Sequence, residues 1–470
     1  MECRDRRFIE IFFSLCLNAQ LMTYAETIDY LYQMQRHGVR PGLARMTTLL
    51  ALFEQPQHAF KSVHIAGTNG KGSTAAMVAA VLEQAGYRVG LYTSPHLLDF
   101  SERIRINQCP ISHEDIIALT RRLRDKLEKT SPRLAKRISF FEFTTGLAFL
   151  YFAQQAVDVA VIEVGLGGRF DATNLVKPLV ASITNIEIDH EQYLGTTISE
   201  IAQEKAGIIK EAVPLISTAS QPEVISIIEE MARLKKAPLA KVGRAVPAAS
   251  SLASLSCPLT DPIKLSYSGL RDYIVEVPLL GKHQVKNTTT SLGILESLQD
   301  QGLHISENDI VEGLKKVRLE GRLEIIQKEP LILMDGAHNP AGARALGEFL
   351  EETDPEHRGK HWLISGIMAD KKIADMMSPL LAWTDEFVLT RPKIDRAADP
   401  QEIGTITAAL LNRQGDQEQN ITIKENVNSA IAHVKSQIKP QDLLVITGSF
   451  YTVGEAKGAL TGTPPSLIRG

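Results

Sequence analysis

Val63-His64-Ile65-Ala66-Gly67-Thr68-Asn69-Gly70-Lys71-Gly72-Ser73-Thr74 is the stretch around which the chain is organised. An apolar run ends in a glycine-rich turn, a lysine sits inside the turn, and hydroxyls open the next segment. That segment, 75–85, is apolar at helical spacing and stops at Gly86, a residue suited to the position just past a helix end. Tyr87 to Thr93 then reads as a second strand, which places the turn inside a strand–helix–strand unit. Glycines let backbone N–H groups converge on an anion, a helix N-terminus adds partial positive charge, and Lys71 adds a full one. The match to the usual P-loop is imperfect: Ile65 stands where its first glycine belongs, and Gly72 separates the lysine from Ser73. A tight turn that merely joins strand and helix is the plainer alternative. The context favours an ATP phosphate site.

A chain of 470 residues exceeds one compact core and predicts two or three domains. Its 44% hydrophobic and 23% charged content is that of an ordinary soluble globular protein. The formal net charge of −4 gives no electrostatic case for binding nucleic acid or an anionic membrane. Cys3, Cys16, Cys109 and Cys257 are scattered, so neither a disulfide framework nor a zinc site is indicated. That usage fits a reducing cytosol, and a cytoplasmic protein is expected. Arg4, Arg6 and Arg7 ahead of the apolar run 8–17 look superficially like a signal peptide, but Glu10 interrupts the run. The run is also too short to cross a membrane. Residues 1–21 read as an extension from an upstream start codon, ahead of an amphipathic helix beginning near Met22.

Further along, chemistry-bearing residues gather where strands end. Ser94, in Thr93-Ser-Pro-His-Leu97, follows the second strand, at a place where open α/β sheets bind ligands. Taken alone it is a turn residue; with partners its hydroxyl could reach a Mg²⁺ ion. Ser139-x-x-Glu142 looks like a helix capping box, and 140–155 like a mostly buried helix, so Glu142 has a structural explanation. Glu163 ends the apolar strand 158–164, where a carboxylate is costly to bury unless paired or metal-bound. A glycine loop, Gly165 to Asn174, follows it, long enough to fold over a ligand. Asp189-His190 stands beyond the next strand, 179–186. With Ser94 and Glu163, His190 can face one crevice, and such an oxygen-rich set suits Mg²⁺ completed by water and phosphate. On composition alone Lys205 is a solvent-exposed cation near a helix end. Residues 237–278 form short alternating runs and read as a small β segment, followed by helices from Gly281 and Ser306. Near Leu319-Glu320-Gly321-Arg322 a fresh alternation of strands and helices begins, which predicts a second, mostly parallel sheet.

With these residues in hand, the chain resembles the Mur-ligase superfamily, in its folylpolyglutamate synthase and dihydrofolate synthase branch. Six motifs carry the resemblance in family order: Gly67-Thr-Asn-Gly-Lys-Gly-Ser73, Thr93-Ser-Pro-His-Leu97, Glu163-Val-Gly-Leu-Gly-Gly-Arg169 with Asp171-Ala-Thr-Asn174, Asp189-His190, Glu204-Lys-Ala-Gly-Ile208 and Asp335-Gly-Ala-His-Asn-Pro340. Gly72 after the lysine is what the folate branch shows; the cell-wall ligases more often carry Thr-Thr there. The implied fold is α/β, an N-terminal P-loop-type parallel-sheet ATPase domain (22–318) followed by a smaller Rossmann-like α/β domain (319–470). By resemblance, Gly67, Thr68, Asn69, Gly70, Lys71, Gly72 and Ser73 hold the ATP phosphates, with Asn287, Arg322, Asp335 and His338 as further nucleotide contacts. Ser94, Glu163 and His190 match Mg²⁺ ligands, and Lys205 matches a lysine that this superfamily carbamylates, against its plain composition reading. Ser139, Phe140, Phe141 and Phe170 match a pteroate-binding stretch, where flat rings suit a flat heteroaromatic ligand.

The chemistry implied is ATP-dependent amide ligation, with Lys71, His190 and carbamylated Lys205 as catalytic groups. A substrate carboxylate attacks the γ-phosphorus to give an acyl phosphate, and the amine of L-glutamate then displaces phosphate. The acceptors implied are dihydropteroate and reduced folates, with no nucleic acid or membrane partner and a monomeric chain. Two rivals differ in what they need. A ligase of the same superfamily acting on a cell-wall nucleotide precursor would lack the Ser139–Phe141 pocket. A non-catalytic nucleotide switch would need neither a carbamylated Lys205 nor contributions from a second domain.

Overall fold

The computed structural model describes residues 22–38, 41–240, 242–247, 262–353, 359–414 and 420–463; the expected extension 1–21 lies outside them. The stretch Lys61–Ala66 is strand β1, buried from its second residue onward. The strands that follow in chain order are β2 Val89–Tyr92, β3 Ile104–Ile106, β4 Cys109–Pro110, β5 Val159–Glu163, β6 Val180–Ile183 and β7 Leu215–Ser217. They form one sheet in the order β4-β3-β2-β5-β1-β6-β7. β1 runs parallel to β5 on one side and to β6 on the other. Near-continuous Val, Ile and Ala runs suit strands covered on both faces. From β1 the chain crosses to β2, then returns to both flanks of β1, so the carboxyl end of β1 lies at a switch point of the sheet.

Helix Lys71–Gln84 makes the first crossover and is buried along most of its length. One side packs on β2 and β5, and the other meets helices His283–Asp300 and Glu307–Lys315. On the opposite face of the sheet lies Phe140–Gln154, where Phe143, Phe149 and Phe152 are fully buried. Truncating any one of these to alanine is expected to cost roughly 3–5 kcal/mol through lost burial and an unfilled cavity.

Strands β8 Arg244–Pro247, β9 Ile263–Ser268 and β10 Asp272–Val277 form a small antiparallel sheet. A third sheet comprises β11 Glu324–Lys328, β12 Leu331–Met334, β13 His361–Ser365, β14 Glu386–Leu389, β15 Asn420–Ile423 and β16 Leu443–Thr447. Its order is β11-β12-β16-β13-β14-β15, parallel except for β11. The α/β expectation therefore holds for both large sheets. Strands β3, β4, β11 and β15 are additions the sequence reading missed. They lie at or next to sheet edges and have two to five residues, too few for a period of two to show.

Candidate active site

The glycine turn is built by what surrounds it. Gly70 opens helix Lys71–Gln84 with φ +82°, and a Cβ there would sit 2.2 Å from Asn287 Oδ1. A Cβ on Gly67 would lie 1.9 Å from Thr184 Oγ1. Only glycine fits either place. The loop is pinned from beyond β6: Thr68 N–H donates to Asn185 O at 2.8 Å, Asn69 N–H to Asn185 Oδ1 at 2.7 Å, and Thr184 Oγ1 to Asn69 O at 2.7 Å. Lys71 Nζ donates to the carbonyls of Gly67 at 3.0 Å and Thr68 at 2.9 Å. Burial pulls its pKa down, and the Glu163 and Asp189 carboxylates oppose that pull.

Glu163, the last residue of β5, is 4% exposed, and its Oε2 accepts the Ser94 N–H at 3.0 Å. Its carboxylate oxygens lie 3.6 and 3.7 Å from where a Cβ on Gly72 would be. A side chain longer than alanine at that position would run into the carboxylate, which gives a physical reason for the glycine after the lysine. Burial raises the Glu163 pKa, with Lys71 opposing. His190, at φ +52°, opens the short helix Glu191–Leu194, and burial lowers its pKa to about 4 against the pull of Asp189. It is therefore a neutral imidazole near pH 7, with a lone pair to offer.

Lys205 departs from its composition reading. It is 4% exposed, and its Nζ donates to Gly67 O at 2.8 Å. Burial, with the Lys71 cation nearby, pushes its pKa down to about 7. The glycine loop lies across its helix end, where Arg169 N–H donates to Glu204 O at 2.8 Å. Asp171 closes that loop on itself by accepting the N–H groups of Leu166 at 2.9 Å and Thr173 at 3.0 Å.

The second large sheet supplies the other wall. Half-buried Arg322 stacks its guanidinium 4.4 Å from the centre of the Phe450 ring. Asp335 accepts N–H groups from Leu323 and Ala337, both at 2.9 Å; burial raises its pKa, and Arg322 opposes that. His338 is lowered to about 4 by burial. A hub that the sequence reading gave no role joins the two walls. Asp189 accepts from Lys371 Nζ at 2.6 Å and Asn339 Nδ2 at 3.0 Å. Burial pulls its carboxyl up, yet His190, Lys371 and His338 outweigh burial and hold it well below the usual range. The signal for Lys371 was its place, in a loop following a parallel strand. Asp189 was in view only as the neighbour of His190.

Two cavities meet at the glycine turn. One, of about 420 Å³, is lined by Asn69, Gly70, Ser73, Asn287, Arg322, Asp335 and His338. The other, of about 640 Å³, is lined by Gly67, Thr68, Lys71, Gly72, Ser94, Glu163, His190, Lys205, Ser139, Phe140, Phe141 and Phe170. Asn69, Gly70, Arg322 and His338 border both. Every residue singled out in the sequence thus faces one cavity or the other. The acceptor wall is uneven, however. Ser139 caps its helix, with Oγ accepting the Glu142 N–H at 3.3 Å, and Arg45 Nε holds Glu142 at 3.0 and 3.1 Å. Phe140 is 8% exposed and stacks on Tyr32 with ring centres 5.4 Å apart, so it serves mainly as core. Phe141 is half-buried near Tyr92, and Phe170 is 47% exposed with the Arg169 guanidinium over its ring, so each offers part of its surface to the cavity.

Among the described residues, no three His, Cys, Asp or Glu side chains converge as a metal cage. Glu163, the Ser94 hydroxyl and neutral His190 nevertheless fit a hard cation that takes its remaining ligands from phosphate oxygens and water. No helix among the described residues is long and apolar enough to cross a membrane.

A glycine turn with its lysine at the meeting of two cavities puts a candidate anion site beside room for a second ligand. Comparison with known proteins agrees. Residues 65–295 match the Mur ligase middle domain, and residues 321–450 match the Mur ligase glutamate ligase domain. The dihydrofolate synthase/folylpolyglutamate synthase of Bacillus subtilis is 33% identical over 442 residues, 93% of this chain and 99% of that protein. Escherichia coli FolC, solved in complex with DHPP and ADP, is 27% identical with a TM-score of 0.78, covering 93% of this chain and 98% of that one. A bifunctional folylpolyglutamate synthase/dihydrofolate synthase from Yersinia pestis, complexed with AMPPNP and Mn ion, is 28% identical with a TM-score of 0.78, covering 94% and 98%. The chain belongs to the dihydrofolate synthase/folylpolyglutamate synthase family of Mur ligases, which are ATP-dependent enzymes.

Proposed function

We propose that this chain adds L-glutamate to dihydropteroate and to the γ-carboxylates of reduced folates, using ATP and Mg²⁺, in the cytoplasm and as a monomer. The observation that carries the reading is the meeting of the two cavities at Asn69 and Gly70, next to Lys71, because ligation needs the γ-phosphate and the acceptor carboxylate to come together there. In the first step an acceptor carboxylate oxygen bonds to the γ-phosphorus, and the bond to the bridging oxygen of ADP breaks. The glutamate amine then attacks the acyl carbon, a proton is lost, and phosphate departs. Mg²⁺ held by Ser94, Glu163 and His190 would neutralise phosphate charge. Lys71 does the same from the helix end, and phosphoryl transfer depends chiefly on such positioning and charge neutralisation. Lys205, with its amine close to neutrality, adds CO₂ and loses a proton to become a carbamate, which can act as a further metal ligand. Asn287, Arg322, Asp335 and His338 hold the nucleotide from the smaller cavity. Phe141 and Phe170 hold the pterin ring from the larger one, beside Ser139 and Phe140. The division into a nucleotide-binding unit at 22–318 and a ligase unit at 319–470 belongs to the same reading.

The test is phosphate release with ATP, Mg²⁺ and L-glutamate, with dihydropteroate or a reduced folate as acceptor and product mass read in parallel. Turnover with both acceptors supports the bifunctional reading. Activity with folate alone reduces it to polyglutamylation, and activity with neither removes it. Arg322→Ala is expected to weaken ATP binding and ligation together. Unchanged values for both would separate the second sheet from the site.

A further inference from the structure

Arg103 faces the larger cavity yet has no part in the scheme above. It is 8% exposed and ends the short turn Phe100–Arg103. Its carbonyl accepts the Thr93 N–H at 3.0 Å, so the side chain starts next to the Ser94–Glu163 pair. The side chain is braced on two sides. Nε donates to His96 Nδ1 at 2.7 Å, and His96 Nε2 lies 3.1 Å from the Tyr32 hydroxyl. The guanidinium carbon stands 5.3 Å from the centre of the Phe140 ring. Because Nδ1 accepts, the imidazole is neutral and carries its proton on Nε2, toward Tyr32. Among the described residues, the two terminal nitrogens form no hydrogen bond or ion pair. The Glu163 carboxylate is within electrostatic reach, yet the guanidinium's only side-chain hydrogen bond among the described residues is to a neutral imidazole, so its two terminal nitrogens stay available to an anion in the cavity.

We propose that Arg103 recognises the reacting carboxylate of the acceptor, whether the aryl carboxylate of dihydropteroate or the γ-carboxylate of a folate. The inference rests on the ligase reading above. A planar two-point donor matches a carboxylate geometrically, and a lysine does not. Its position beside Ser94 and Glu163 is where the acceptor carboxylate and the γ-phosphate, both anionic, must approach. A fixed cation there lowers that repulsion and aims one carboxylate oxygen at phosphorus.

The decisive experiment compares the wild-type chain with Arg103→Gln and Arg103→Lys, each loaded with a non-hydrolysable ATP analogue. Binding of dihydropteroate is measured against binding of its decarboxylated analogue; in separate turnover assays with ATP and L-glutamate, KM is measured for dihydropteroate and for a reduced folate. Wild type is expected to prefer the carboxylate by about tenfold or more, as a charged hydrogen-bond pair allows. In Arg103→Gln that preference collapses, the KM for both acceptors rises about tenfold, and nucleotide affinity holds; Arg103→Lys falls between. Retained discrimination in Arg103→Gln overturns the proposal. So does a KM rise for folate alone, which would assign the arginine to a non-reacting carboxylate. Should Arg103→Gln fail to fold, Arg103→Lys decides by the same comparison. A wild type that ligates neither acceptor sinks the ligase reading, while the binding comparison still shows whether Arg103 reads a carboxylate.

Discussion

The seven-stranded and six-stranded sheets are built alike, mostly parallel with helices packed on them, yet they furnish the cavities differently. The first presents groups that lean on one another: Lys205 and Lys71 both donate to Gly67 O, and Thr184 and Asn185 fix Asn69. From the second come Arg322, Asp335, His338 and Lys371, and the last of these finds its nearer carboxylate partner across the seam, at Asp189 (2.6 Å), with its neighbour Asp370 at 3.7 Å. On the proposed function, one sheet therefore carries a prefabricated phosphate cradle, and the other completes it only when the two are together. A common architecture does not fix function; loops grafted on it do.

If the cradle is prefabricated, removing its cation should be the most damaging change. Lys71→Met is expected to lower ligation by about 10²–10³-fold, the scale seen when one donor to developing charge is lost. Thermal stability should change little, because the chain sheds a buried cation whose pKa burial already depresses. Single-turnover acyl-phosphate formation reads the effect. A loss of less than about fivefold would break the contrast between the sheets.

Lys205 gives a pH-dependent version of the same test. With its pKa near 7, about nine-tenths of the amine is neutral at pH 8 and about one-tenth at pH 6. Only the neutral amine takes up CO₂, so carbamate-dependent activity should fall roughly tenfold from pH 8 to pH 6, with added bicarbonate restoring part of it. Lys205→Arg should abolish that bicarbonate response. The sign for folding follows from the same shift. The unfolded lysine binds its proton up to about 10.5 and the folded one only to about 7, so Lys205 makes stability rise with pH across that window. Equilibrium denaturation of wild type against Lys205→Met, at pH 7 and pH 9, measures it.

Much of the cradle was legible before any coordinates, because its residues are consecutive and each has a chemical reason to be there. Gly67, Gly70 and Lys71 lie within five positions, and Glu163 is conspicuous as the one acid within the apolar run 159–164. The seam was not legible. Asp189 and Lys371 are 182 residues apart, and neither breaks a local pattern. Lys205 shows a third case: a lysine near a helix end reads as exposed until the glycine loop is seen to lie across it. Phe140 does two things at once, bordering the larger cavity and stacking on Tyr32, and the resemblance that pointed to it gave no sign of the second contact.

The seam itself can be loosened. Losing the sole partner of a buried charge costs roughly 3–5 kcal/mol, but Asp189→Ala still leaves Lys371 the Asp370 carboxylate at 3.7 Å. Here the lysine can regain water as the two sheets separate, so the expected cost is smaller. Ligation should fall several-fold, with the radius of gyration in solution scattering slightly larger. Lys371→Met should produce a similar loss, and the double variant should be no worse than either, since both changes remove one interaction. Additive losses would mean that Asp189 acts mainly on His190, whose N–H it accepts at 2.8 Å.

The smallest effect is expected at Ser139, and it bears on how the acceptor wall is made. The serine sits against the larger cavity, but its hydroxyl is engaged in the helix cap, together with Glu142 and through it Arg45. Ser139→Ala removes a cap of the kind worth about 1 kcal/mol, so chemical denaturation should register a loss of that size. The acceptor KM should move only as far as a loosened first turn shifts Phe141, by less than about threefold given the size of the cap. Phe141→Ala should then raise KM more than Ser139→Ala does while leaving the cap in place. A larger KM effect from the serine would mean that its hydroxyl turns from the cap to the ligand when acceptor binds. The first turn of Phe140–Gln154 would then be a surface that rearranges on binding, in contrast to the fixed cradle at Gly67–Lys71.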